Sequence, residues 1–308
     1  MFIPPGFVKK SVDTSLGRLV YYSAEDPLWT EGFIQDPSET LLFLHGFGGG
    51  SSAFEWSKVY PAFASDFQIL APDLLGWGRS EHLSRYYTVA DYDSSILQFI
   101  QQACQRPVHA IASCLSAAFI IRVAVEHPDL FQSLILFAPA GLSDFGKDYT
   151  GSFFAQLVST PVIDRFLYQT AIASDWGIRN FLEKRAFARP ERVTQEMVNA
   201  YLASAEQPLA EYTALSFVRG DLCFDLAQFV PNLKVPTTIL WGQAAQFTPP
   251  ELGKRLAELN SEAILHFRIL DDVGLIPQLE QPAITAGLIR KSLMLLRKHR
   301  ELHESRFS

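Results

Sequence analysis

The chain has few of the features that mark several protein classes. Only three of its 308 residues are cysteines, Cys104, Cys114 and Cys223. An odd number with no paired spacing favours free thiols and a reducing, cytoplasm-like compartment over a disulfide frame. No CxxC or HxxH spacing occurs, so neither a metal site nor a cofactor is expected. Charged residues make up 19% and the net charge is -7, which leaves no basic excess for nucleic acid. The most apolar stretch, Val108 to Val125, is broken by Ser113, Ser116 and Arg122. It falls short of the roughly 20 apolar residues of a transmembrane segment. Residues 1–10 lack the basic start and apolar run of a secretory leader. Repeats and low-complexity tracts are missing too.

What is present is an ordinary folded composition, 48% apolar, and enough length for a large core with a smaller insertion. Strand-like and helix-like segments alternate, which predicts a mostly parallel sheet with helices on both faces. Phe7 to Asp13 and Gly17 to Ser23 read as a hairpin around Thr14-Ser15-Leu16. Further strands are expected at Thr40 to Leu44, Phe67 to Ala71, Pro107 to Ala112, Gln132 to Phe137, Thr237 to Trp241 and Ala263 to Leu270. A short helix with Phe54 and Trp56 follows the first glycine-rich loop. Apolar residues from Val89 through Tyr92, Ile96, Phe99, Ile100 and Ala103 keep helical spacing, and Leu115 to Glu126 forms the next helix. From about Gly141 to Pro231 strand patterns stop, and Phe153, Phe154, Phe166, Tyr168, Trp176, Phe181 and Tyr201 recur at helical spacings. Ser159-Thr160-Pro161 reads as a helix start there. The last helix is expected from about Gln281 to Leu296, with Ile284, Leu288, Leu293 and Leu296 inward and a frayed tail beyond Lys298.

Three motifs carry the functional reading. His45-Gly46-Phe47-Gly48-Gly49 follows a strand, and its glycines let backbone approach a ligand. It is no phosphate loop, because no Lys-Ser/Thr follows. Pro72-Asp73-Leu74-Leu75-Gly76-Trp77-Gly78-Arg79-Ser80 is a turn-rich loop. Val108 to Ala118 places small residues, Ala112 and Ser116, around Cys114 between a strand and a helix.

In this order and spacing the chain resembles the α/β-hydrolase superfamily, in its capped form, over nearly its whole length. The resemblance implies an α/β-hydrolase fold: residues 1–140 as the first half of the core, 141–231 as a helical cap insertion, and 232–308 as the second half. It places the nucleophile at Cys114, one position after Ser113, and an oxyanion hole at the backbone of Phe47 and Leu115. Trp241 to Pro249 resembles the family's W-G-x-x-D-x-x-x-P loop with Ala245 at the acid position. Asp271 to Pro282 resembles the loop that carries the histidine, with Leu275 in its place. His45 and His266 suit structural roles, Asp144 a cap of the inserted helices, and Asp271 or Asp272 is the nearest substitute base.

Loss of the histidine from a working triad costs about a million-fold in turnover, roughly 8 kcal/mol. The expectation is therefore a non-hydrolytic or strongly impaired protein that binds a small hydrophobic molecule or a protein partner. Its thiol would face hydrocarbon where a proton acceptor ought to stand. The alternative is a hydrolase or acyltransferase acting through Cys114 on an ester, thioester or lactone. A structural or assembly role is a third possibility.

Overall fold

The structure is a computed structural model, and it describes residues 3–31, 39–147 and 168–307. Eight strands form one sheet: β1 (Phe7–Thr14), β2 (Gly17–Ala24), β3 (Thr40–Leu44), β4 (Gln68–Pro72), β5 (Val108–Ser113), β6 (Phe131–Phe137), β7 (Thr237–Gly242) and β8 (Ile264–Leu270). Their order is β1-β2-β4-β3-β5-β6-β7-β8. β1 and β2 make an antiparallel hairpin in which Thr14 pairs with Gly17, and β2 also runs antiparallel to β4. The other pairings are parallel.

Burial follows position in the sheet. Every residue of β3, β5 and β7 is buried, as the continuous apolar runs of central parallel strands require. β1 alternates between inward and outward residues, and its outer edge is blunted by Lys9 and Lys10. Alternate residues of one strand serve opposite faces. Leu42, Leu44, Ala110 and Ala112 pack into one core, whereas Leu41, Phe43 and Ile111 pack into the other. The helices Val89–Ala103 and Cys114–Glu126 cover the first face, and the former starts at a Thr88–Asp91 capping box. The Pro282–Phe307 helix covers the second face through Ile289, Leu293 and Leu296.

Two expectations about that last helix need correcting. Ile284 is 55% exposed and faces away from the core. The tail beyond Lys298 is not frayed; the helix continues to Phe307. The segment holds neither glycine nor proline and is rich in good helix formers, and Arg300 reaches back to Gln132 at 2.8 Å.

Between β6 and β7 the described residues add no strand to the sheet. They form the helices Asp175–Phe181, Gln195–Ala205 and Ala210–Arg219, with π-helical turns at Tyr168–Ile172 and Leu182–Ala186. The helix start expected at Ser159-Thr160-Pro161, with Phe153, Phe154 and Phe166, lies outside the described residues. Tyr168 and Tyr201 are buried, whereas Trp176 is exposed. Asp144 closes the base of the insertion. Its carboxylate accepts the N–H groups of Gly141 and Leu226 at 3.1 and 2.9 Å, tying the outgoing and returning chain together. It therefore caps this junction, not the inserted helices. Among the described residues, no helix is long and apolar enough to cross a membrane.

Candidate functional site

The glycine-rich loop leaves β3 through His45, whose ring is wholly buried. Its Nδ1 lies 2.7 Å from the Gly46 carbonyl and its Nε2 accepts the Leu74 N–H at 2.9 Å. Burial lowers its pKa to about 4, so the ring is neutral and structural. Within the loop, Gly46 N–H donates to Glu55 Oε2 at 2.8 Å and Gly48 N–H donates to Ser51 Oγ at 2.7 Å. These bonds fix the His45–Gly46 and Phe47–Gly48 peptides that flank the Gly46–Phe47 unit. Gly50 has φ +89, and a Cβ there would stand 2.2 Å from the Tyr201 carbonyl, so only glycine lets loop and insertion meet.

Cys114 lies at the junction of β5 and the Cys114–Glu126 helix with φ 57, the left-handed conformation of a sharp strand-to-helix turn. The side chain is half-buried. Burial pushes its thiol up to about 11. The N–H groups of Leu115 and Phe47 act on the sulfur in the opposite sense, and the Glu55 carboxyl raises the value further. The sulfur is thus a protonated thiol near neutral pH, held where two peptide N–H groups converge.

Cys114 lines a small cavity of about 60 Å³, enough for about two water molecules. Leu275 lines it as well, so the two residues that the resemblance sets at the nucleophile and histidine positions share one cavity. Ala245 is buried but lies outside the lining. Its loop runs beside that of Leu275, joined by Ala244 N–H to Val273 O at 3.0 Å. Phe181 and Phe217, from the insertion, and Phe247 roof the cavity.

Other sequence candidates are placed elsewhere. His266 sits on the edge strand β8, and no histidine lines the cavity among the described residues. Asp272 is bound by Arg189 and Arg192, which hold its carboxyl below the usual range. It cannot serve as a base for Cys114 while so engaged, and Asp271 is exposed. Ser113 is buried and its Oγ accepts from Gln278 Nε2 at 3.2 Å, so its partner lies far along the chain and is not a local one.

One expectation is overturned. The cavity is not purely hydrocarbon, because Glu55 lines it beside Cys114 and is 1% exposed. Glu55 accepts from Gly46, from Tyr201 Oη at 2.9 Å and from Gln278 Nε2 at 3.3 Å. Burial raises its pKa against these bonds and one from the Ser51 hydroxyl. Sequence reading missed Glu55, Gln278 and Thr248. The available signal was an acid inside the apolar short helix Ala53–Trp56, where neighbours on both sides are buried.

The fold, the turn at Cys114 and the glycine loop together define an α/β hydrolase. The alpha/beta hydrolase family model matches residues 41–288, and the chain belongs to that family. Among curated relatives it is similar to the uncharacterized hydrolase YugF of Bacillus subtilis (strain 168). The two are 24% identical over 228 residues, covering 72% of this chain and 79% of that protein. The karrikin insensitive 2 receptor IA of Petunia hybrida is 22% identical over 274 residues, 86% of this chain and 94% of its own. Among solved structures, 2-hydroxy-6-oxo-6-phenylhexa-2,4-dienoate hydrolase from Rhodococcus sp. strain RHA1 superposes with a TM-score of 0.71 at 20% identity. It covers 94% of this chain and 99% of its own.

Proposed function

We propose that this family member does not hydrolyse esters through a Ser-His-Asp triad, and that it binds a small molecule beneath a helical cap formed by the insertion. The observation that carries this reading is the pairing of Cys114, its thiol pushed up to about 11, with Leu275 across the same cavity. A general base must stand within hydrogen-bond reach of the nucleophile; Leu275 offers no lone pair, and the carboxyl of Glu55 is already engaged by Gly46, Tyr201 and Gln278. The oxyanion hole at Phe47 and Leu115 with binding alone supports only about 10³- to 10⁴-fold over water. A family whose fold hosts both hydrolases and a protein named as a receptor suits such a role. The three free thiols suit a reducing, cytoplasm-like compartment.

The test is an esterase panel on the wild type beside the triple variant Cys114→Ser, Ala245→Asp, Leu275→His. Activity that appears only in the triple variant supports the reading. Saturable turnover by the wild type that disappears in Cys114→Ala overturns it. That outcome is the second reading, a thiol acyltransferase or hydrolase, favoured by the left-handed turn and the two N–H groups at the sulfur.

A further inference from the structure

Glu55 is an ionisable group in the interior whose partners, Gly46, Ser51, Tyr201 and Gln278, are all uncharged. Four donors converge on one carboxyl. A protonated acid has its own hydrogen to place and less acceptor capacity, so the arrangement suits the ionised form. Burial alone pushes the group toward its protonated form, and a positive charge placed beside it would favour the carboxylate instead. Among the described residues, two further polar atoms in this region have no hydrogen-bond partner, Thr248 Oγ1 and Gln278 Oε1. Both residues are more than nine-tenths buried, at 3% and 0% exposure. Thr248 lines the cavity with Glu55, and Gln278 bonds Glu55 directly. Each orphaned oxygen can accept a hydrogen bond.

Four phenylalanines line the wall, together with Leu142, Leu275 and Ile276. Phe47 and Phe217 are inside, and Phe181 and Phe247 meet at a centroid separation of 6.2 Å. Aromatic faces attract cations and exact no hydrogen bonds from them. A buried acid, an acceptor unpartnered among the described residues and four phenyl groups have one chemistry in common.

We propose that the cavity beside Cys114 takes a small organic ammonium ion. Its charge offsets Glu55, an N–H group meets Thr248 Oγ1, and its alkyl part lies among the phenylalanines. This rests on the binding reading above and narrows it from an apolar molecule to an alkylamine. The volume of about 60 Å³ sets the scale at a few heavy atoms. A longer amine has to displace Phe247, which is half exposed.

The experiment compares ethylammonium with ethanol, which matches it in shape and lacks the charge, by ligand-observed NMR at low salt. The wild type is expected to bind ethylammonium at least about tenfold more tightly than ethanol. Glu55→Gln should abolish that preference. If Glu55→Gln does not fold, Thr248→Val tests the second polar contact and should weaken ethylammonium more than ethanol. Equal affinities, or a preference that survives both substitutions, overturn the proposal and leave the binding reading standing. Binding of neither probe overturns the proposal, and the esterase panel then judges the binding reading separately.

Discussion

The peptide N–H of Leu275 donates to the carbonyl of Ala186 at 2.6 Å. This bond joins the loop after β8 to the insertion at the position where the resemblance places a histidine. Gly274 makes the approach possible, because a Cβ there would stand 2.2 Å from that same carbonyl. Glu280 completes the seam. Its Oε1 accepts the N–H groups of Ala188 and Arg189 at 2.9 and 3.0 Å, and its Oε2 accepts that of Gly274 at 2.7 Å.

Glu280→Ala should therefore destabilise the protein by about 2–4 kcal/mol. The substitution strips three peptide donors and Arg192, 3.0 Å away, of their acceptor. Urea unfolding of both proteins measures the difference. A loss below about 0.5 kcal/mol would mean that water satisfies these groups and the seam holds little.

Cys114 should react slowly with alkylating reagents. A thiol raised to about 11 has a thiolate fraction near pH 7.5 roughly 100-fold or more below that of free cysteine, whose pKa is about 8.5. Mass spectrometry of iodoacetamide labelling against pH gives the rate. It should rise steadily between pH 8 and about 11; a plateau near neutrality would show an activated thiol.

Asp144 links stability to pH. Burial raises its carboxyl to about 6 from an ordinary 3.8. A folded state that holds this proton more tightly than the unfolded chain gains stability that is complete below the ordinary value. That gain is lost as pH rises through about 6. Asp144→Asn has no such proton, so its stability relative to wild type should improve by about 1–3 kcal/mol between pH 4 and pH 7. His45, lowered to about 4, drives the opposite trend equally in both proteins and cancels. Parallel pH-stability curves for the two proteins would refute the assignment.

The sheet was legible because its signals are local. Leu41 to Leu44 is an unbroken apolar run, and the small residues around Cys114 announce a crowded turn. Strand limits agree within one or two residues for the same reason. Glu55 was not legible, since its meaning depends on Tyr201 and Gln278, 146 and 223 residues away along the chain. The final turns of the last helix were missed for another reason. Mixed charge reads as a solvated tail, yet the same residues are good helix formers when the preceding turns are anchored by Leu293 and Leu296.

The bend at Cys114 has a practical consequence. A non-glycine residue in left-handed geometry stores strain of about 1–3 kcal/mol and persists only when its surroundings dictate it. Here a fully buried strand enters the bend and a nearly fully buried helix leaves it. Backbone posture at this point is therefore imposed from outside the residue. Position 114 is a socket in which one side chain can be exchanged for another while its frame stays fixed.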